Sequence, residues 1–114
     1  MRRVILAAVA VGAAAFSGLA MAQDEPDGAA LYANSCAGCH SAGGEGGYGP
    51  PLASNPFMED AAAVVGQMLM PRELMPTFAS TLSDEEIAAV VNFLRSDFND
   101  YPADVDAAFV AGLR

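Results

Sequence analysis

Both cysteines of the chain and its only histidine fall in one pentapeptide, Cys36-Ala37-Gly38-Cys39-His40. That concentration constrains the rest of the fold. No disulfide can join distant segments, and no second histidine can serve a site elsewhere. Three chemistries use such a cluster. A redox Cys-x-x-Cys pair usually follows a strand, at a helix start within a βαβ pattern. Nothing in this sequence alternates like a strand, and the residues before Cys36 read as helical. A structural zinc ion takes four ligands, whereas the pentapeptide offers three soft donors and the chain has no more. The third chemistry is covalent haem attachment, for which Cys-x-x-Cys-His is the signature. Residues three and four apart share a face of a helical turn. Cys36 and Cys39 can therefore reach the two vinyl groups of one haem while His40 brings its imidazole under the iron. This reading, one covalently bound haem c, accounts for every thiol and imidazole in the chain.

The first 22 of the 114 residues read as an export signal rather than as part of a fold. Arg2 and Arg3 precede an apolar run of small residues, and Ala20-Met21-Ala22 stands before the polar Gln23-Asp24-Glu25. That order matches a secretory leader. The apolar stretch Val4–Ala22 is just long enough to span a bilayer, but it is rich in alanine and ends in a good cleavage site. Cleavage after Ala22 is expected, with no stable membrane span afterwards. No cysteine lies at the cut, so no lipid anchor is expected. An exported chain with cysteines belongs in an oxidising compartment, here the periplasm. The expected organisation is a leader at 1–22 and one domain at 23–114, with 100–114 as a C-terminal extension. A domain of 92 residues buries little core of its own and leans on a staple or cofactor.

The chain has no lysine, and after cleavage Arg72, Arg95 and Arg114 face 14 acidic residues, a formal charge of −11. Such a balance excludes nucleic acid and anionic membrane surfaces as partners. It favours redox proteins, a donor dehydrogenase or reductase and an acceptor oxidase or similar, that present a neutral or basic docking surface.

With His40 as one iron ligand, the sixth can be neither histidine nor lysine. Methionine is the remaining strong donor, and a His/Met pair raises the reduction potential. Outside the leader the methionines are Met58, Met68, Met70 and Met75. Met58 and Met68 fall in a helical stretch and read as core filler. Met70 and Met75 each precede a proline, which stops a helix and stiffens the loop, so either side chain could be aimed at the iron.

Three motifs in order resemble the class I c-type cytochromes over nearly the whole stretch after the leader. The first is Gly28-Ala-Ala-Leu-Tyr32 leading into the Cys36–His40 pentapeptide. The second is Gly49-Pro50-Pro51-Leu52, similar to the family's Gly-Pro-x-Leu. The third is Met75-Pro-Thr-Phe78 followed by Leu82-Ser-Asp-Glu-Glu-Ile87, similar to the family's ligand loop and last helix. The resemblance implies an all-α fold of three to five helices wrapped around one covalently bound haem. It implies that Cys36 and Cys39 hold the haem, that His40 and Met75 bind the iron, that the Pro50 carbonyl accepts a hydrogen bond from His40, and that Leu52 packs on the haem. The loop length from Met75 to Leu82 selects Met75 over Met70. It further implies that Phe93 meets Gly28 and Tyr32, where the missing side chain at Gly28 lets two helices approach.

Residue patterns predict the same organisation. A first helix is expected over about 25–35, with Asp24 as cap and Pro26 in its first turn. The run Ser41–Gly49 is too rich in glycine for a helix or strand and reads as a loop, serving either flexibility or close approach to the haem edge. Asn55 caps a second helix with Pro56 at its first position, carrying Val64, Val65, Met68 and Leu69. Ser83 and Glu86 form a capping box before a stripe of Ile87, Val90, Val91, Leu94 and Phe98. A short amphipathic helix over about 102–111 would turn Val105, Phe109 and Val110 inward, to cover the domain, dock a partner, or fray.

The expected function is one-electron transfer by a periplasmic carrier whose iron cycles between ferrous and ferric. Filled axial positions leave no site for substrate, so catalysis is not expected. Two alternatives are a dedicated cytochrome subunit of a periplasmic dehydrogenase and a ligand-binding or peroxidatic haem protein, the latter needing an open sixth position.

Overall fold

The computed structural model describes residues 25–114, so the expected leader, its cleavage site and Asp24 lie outside the described residues. Among the described residues five α-helices and one short 3-10 turn make up the regular structure: α1 Gly28–Ser35, α2 Ala37–His40, the turn Pro56–Glu59, α3 Ala61–Leu69, α4 Asp84–Ser96 and α5 Ala107–Ala111. Among the described residues there is no strand, only an isolated antiparallel bridge between Arg72 and Met75. No described helix is long and apolar enough to cross a membrane.

Polar residues set the helix starts, twice differently from the expectation. α1 begins three residues late because Asp27 is its cap, accepting from the Ala30 N–H at 3.2 Å. Pro26 therefore precedes the cap instead of filling the first turn. The predicted second helix is two elements. Asn55 caps the 3-10 turn through the Phe57 N–H, and extended Asp60 then caps α3 through the Ala63 N–H, each at 3.0 Å. A short carboxylate competes well for free N–H groups and poorly as a helix interior residue, so Asp60 restarts the helix. α4 carries the predicted capping box, with reciprocal bonds of 3.0 and 3.1 Å between Ser83 and Glu86.

The core lies between α4 and everything else. Ile87, Val90, Val91 and Leu94 of α4 are buried, together with Val64, Val65 and Met68 of α3, Met58, and Tyr32 of α1. Met58 and Met68 are thus core residues. α1 crosses α4 at Gly28, where a Cβ would sit 2.2 Å from the Ala89 carbonyl oxygen. Only a bare glycine lets the helices approach this closely. Phe93, off the main stripe, joins that crossing, with its ring centroid 5.5 Å from that of Tyr32. Phe98 lies past the end of α4, yet its ring folds back to within 4.9 Å of Tyr32 and 4.8 Å of Phe93. Edge-on aromatic packing of this kind adds to simple burial.

The C-terminal extension packs on the domain. Asn92 clamps Val105 by both backbone groups, at 2.8 and 2.9 Å. Buried Arg95 donates to the carbonyls of Pro102 at 3.1 Å and Glu59 at 3.3 Å. Val105 and Val110 are buried. Phe109 is not turned inward as expected: it is 40 % exposed. α5 has only five residues and starts at its cap Asp106, and one such turn buries Val110 while its neighbour Phe109 points away.

Candidate haem site

The pentapeptide forms one tight turn at the end of α1. The Cys36 N–H closes α1 on the Tyr32 carbonyl at 2.9 Å, and the Cys36 carbonyl accepts from both the Cys39 and His40 N–H groups, at 3.2 and 3.0 Å. Cys36 is half-buried and Cys39 exposed, both as free thiols. Burial, with Cys39 beside it, pushes the Cys36 thiol up to about 11. A redox Cys-x-x-Cys instead needs a thiolate at neutral pH. Among the described residues no group of three or more His, Cys, Asp or Glu side chains is arranged to hold a metal ion, so the zinc reading gains no support.

His40 is buried, 8 % exposed. Its Nδ1 lies 2.8 Å from the Pro50 carbonyl oxygen. A carbonyl can only accept, so Nδ1 carries the proton and Nε2 is left with its lone pair. Gly49 closes over the ring: a Cβ there would lie 2.5 Å from His40 Cε1. The glycine-rich loop reaches this position by a series of backbone bonds. The Gly46 N–H bonds the His40 carbonyl, the Gly49 N–H bonds the Cys39 carbonyl, and the Leu52 and Ala53 N–H groups share the Gly44 carbonyl, all at 2.8–3.0 Å. Gly44 is buried with φ +74°, and its missing Cβ would meet the Phe98 ring at 2.8 Å. The loop is a packed element, and its glycines serve close approach. Tyr32 donates to the Ser41 carbonyl, and burial raises its hydroxyl pKa, which keeps that donor protonated.

The segment after α3 turns back on itself. The Phe78 N–H bonds the Met68 carbonyl at 2.8 Å and the Thr77 hydroxyl bonds the Leu69 carbonyl at 2.6 Å, which ties the loop to the open end of α3. Between them Arg72 and Met75 exchange both backbone bonds, at 2.9 and 3.2 Å. Met75 is half-buried and packs against the core, as Leu52 and Cys36 do. Met70 is 67 % exposed and Leu74 94 %. The Met75 sulfur accepts from Gln67 Nε2 at 3.5 Å.

These residues fit a haem iron. A buried imidazole with a free Nε2 and a half-buried thioether supply the nitrogen and sulfur donor set used for haem. Two thiols stand on the turn that presents the imidazole. His40 and Pro50 are brought into direct contact, Cys36, Leu52 and Met75 share the core surface, and Cys39 faces outward. Sequence reasoning gives Gly49 a place only in the glycine-rich run and at the head of the Gly-Pro-x-Leu motif, and assigns no part to Thr77 or Gln67. Gln67 is the one long polar residue in an apolar helix.

Comparison with known proteins agrees with the fold and with a haem cofactor. Residues 23–94, more than half of the chain, match the family described as cytochrome C oxidase, cbb3-type, subunit III. The chain belongs to this family of c-type cytochromes, and its cofactor is covalent haem c. It is 37 % identical over 103 residues to the cytochrome c subunit of the quinone alcohol dehydrogenase of Gluconobacter oxydans (strain 621H), a match covering 76 % of this chain and 22 % of that protein. It is 33 % identical over 106 residues to the fructose dehydrogenase cytochrome subunit of Gluconobacter japonicus, covering 77 % and 22 %. The chain therefore spans about a fifth of the length of these curated relatives. Among solved structures, cytochrome c6 from the diatom Phaeodactylum tricornutum superposes with a TM-score of 0.54 at 27 % identity, over 61 % of this chain and 88 % of that one. Cytochrome CL from Methylophaga aminisulfidivorans gives 0.55 at 25 %, over 62 % and 52 %.

Proposed function

We propose that this domain carries one electron at a time in the periplasm, on a haem c joined to Cys36 and Cys39 and ligated by His40 and Met75. The observation that carries this reading is the opposed fate of two methionines in one loop: Met75 is turned onto the core while Met70 is turned to solvent. The haem supplies the ferrous/ferric couple, and the chain does the rest. The Pro50 carbonyl holds the proton on His40 Nδ1 and so keeps Nε2 available in a fixed plane. The ties from Thr77 and Phe78 to α3 hold the Met75 sulfur in place in both oxidation states, which limits reorganisation. Leu52 and the surrounding apolar side chains exclude water and favour the less charged ferrous form. With both axial positions filled, no place remains for substrate, and the domain performs no catalysis of its own. Carbon monoxide added to the reduced protein at neutral pH tests this. A filled sixth position gives no change in the visible spectrum, and rapid formation of a carbonyl adduct contradicts it.

A second reading is that the domain is the cytochrome subunit of a dehydrogenase held in a complex. The curated relatives favour it, since both named above are cytochrome subunits of dehydrogenases acting on an alcohol or a sugar. The partner then presents a neutral or basic face to this acidic chain. Gel filtration of a native extract separates the two: elution near monomer size supports the shuttle, and a stable large species supports the subunit.

A further inference from the structure

The chain beyond α4 runs back along that helix. Arg95 holds it at Pro102 and Asn92 holds it at Val105. Val110 of α5 is buried, and the Leu113 and Arg114 N–H groups continue the turn onto the Val110 and Ala111 carbonyls, at 3.0 and 3.3 Å. Arg114 thereby reaches the start of α4. Its Nε donates to the Asp84 carboxylate and its Nη1 to the Ala79 carbonyl, each at 2.6 Å. One planar fork spans both acceptors, which suits a guanidinium. Both charged side chains are only partly exposed.

Ala79 lies in the return of the Met75 loop, and both of its backbone groups are held. The carbonyl accepts from Arg114, and the N–H donates to Thr77 Oγ1 at 3.1 Å. That hydroxyl in turn donates to the Leu69 carbonyl at the end of α3. A chain of bonds therefore runs from Arg114 through Ala79 and Thr77 to α3, and it closes the base of the loop that carries Met75.

We propose that Arg114, aimed by Asp84, is a positioning residue: a latch from the C-terminal extension that keeps the Met75 loop closed on the iron. The proposal rests on Met75 being the sixth ligand. An open loop frees the sixth position, and the apparent affinity of an external ligand scales with the fraction of protein that is open. Without the guanidinium the Ala79 backbone is free to turn, and with it the N–H that orients the Thr77 hydroxyl toward Leu69. The bond from the Phe78 N–H to Met68 remains, so the open form grows without loss of the fold.

Imidazole titration of the oxidised holoprotein, followed by loss of the near-infrared sulfur-to-iron band, tests the latch in wild type, Arg114→Gln, Asp84→Ala, the double variant and Gly28→Ala. Arg114→Gln is expected to bind imidazole about two- to tenfold more tightly, the range that one lost hydrogen bond gives, and to keep the band before imidazole is added. Asp84→Ala is expected to act less strongly in the same direction, and to add nothing in the Arg114→Gln background, because it works through the guanidinium. Gly28→Ala loosens the fold at the crossing of α1 and α4, away from the loop, and is expected to bind imidazole as wild type does. An unchanged affinity in Arg114→Gln overturns the proposal, whatever its Tm. A rise of equal size in Gly28→Ala also overturns it, since that marks general loosening, and so does full additivity of Arg114→Gln and Asp84→Ala. Met75→Ala, measured alongside, separates this failure from that of the ligand assignment. If the band survives Met75→Ala, the ligand is wrong; if it is lost there while Arg114→Gln changes nothing, only the latch is wrong.

Discussion

Replacing Gly28 with alanine tests how the two long-range partners of the fold, α1 and α4, meet. The added Cβ would lie 2.2 Å from the Ala89 carbonyl oxygen and 2.8 Å from its carbon, while ordinary contact begins near 3.4 Å. The helices must separate by about 1.2 Å at the crossing, and the obstacle is helix backbone, which cannot rotate away like a side chain. Separation of that size also pulls the Tyr32 ring off Phe93 and Phe98. Overpacking a tight core costs about 1–3 kcal/mol. Alanine returns up to about 1 kcal/mol through helix propensity, and less at the first helical position, so the net loss is about 1–2 kcal/mol. For a domain of this size each kcal/mol moves Tm by about 4–8 °C, so a fall of about 4–16 °C is expected in far-ultraviolet circular dichroism of the oxidised holoprotein. The near-infrared band should persist at low temperature, because the proposed iron ligands, His40 and Met75, lie on other segments. A Tm equal to or above wild type refutes the reasoning.

Three further outcomes follow from the same geometry. Denatured protein should keep its haem through acid–acetone extraction, and replacing either Cys36 or Cys39 should impair maturation, as a short chain without its apolar cofactor lacks much of its core. Asn92→Ala removes the two-point clamp on Val105 and leaves two backbone groups to find other partners. A loss of about 1–3 kcal/mol and faster proteolysis within 102–114 are expected, and unchanged cleavage there contradicts the clamp. Electron transfer with the native partner should slow as salt rises, because the screening length falls from about 30 Å at 0.01 M to about 8 Å at 0.15 M. A flat or rising rate points to apolar docking, with the acidic residues acting only as solubilisers.

Much of the fold was readable in advance because several local signals agreed on one element. In α4 the capping box and the i, i+3, i+4 stripe indicate the same helix and the same buried face, and the pairing of Phe93 with Gly28 came from the family resemblance. Cap positions were harder where two capping residues compete. Asp24 and Asp27 both suit an N-terminus, as do Asn55 and Asp60, and the choice depends on where neighbouring segments let the backbone extend. Phe109 was misplaced because a helix of five residues has too few turns for periodicity to mark a face. At the site, the pentapeptide stood out because it held every Cys and His of the chain. Gly49 was not readable in this way, since its part is to leave room beside the His40 ring, and absence of a side chain has no pattern in one sequence. Nothing local in the sequence marks Gln67. Its partners Arg72 and Met75 lie five and eight residues on, in a loop whose return is set by the hydroxyl of Thr77 and the N–H of Phe78 rather than by any periodicity.

The near-infrared sulfur-to-iron band of the oxidised holoprotein tests the central claim most directly, measured in wild type, Met75→Ala and Met70→Ala. The half-buried Met75 and the exposed Met70 lead to a definite expectation. The band is present in wild type and in Met70→Ala, and is absent in Met75→Ala, whose potential also falls because water or hydroxide favours ferric iron. A wild-type protein without the band, or one that loses it in Met70→Ala and keeps it in Met75→Ala, contradicts the ligand set and with it the account of this domain as a His/Met electron carrier.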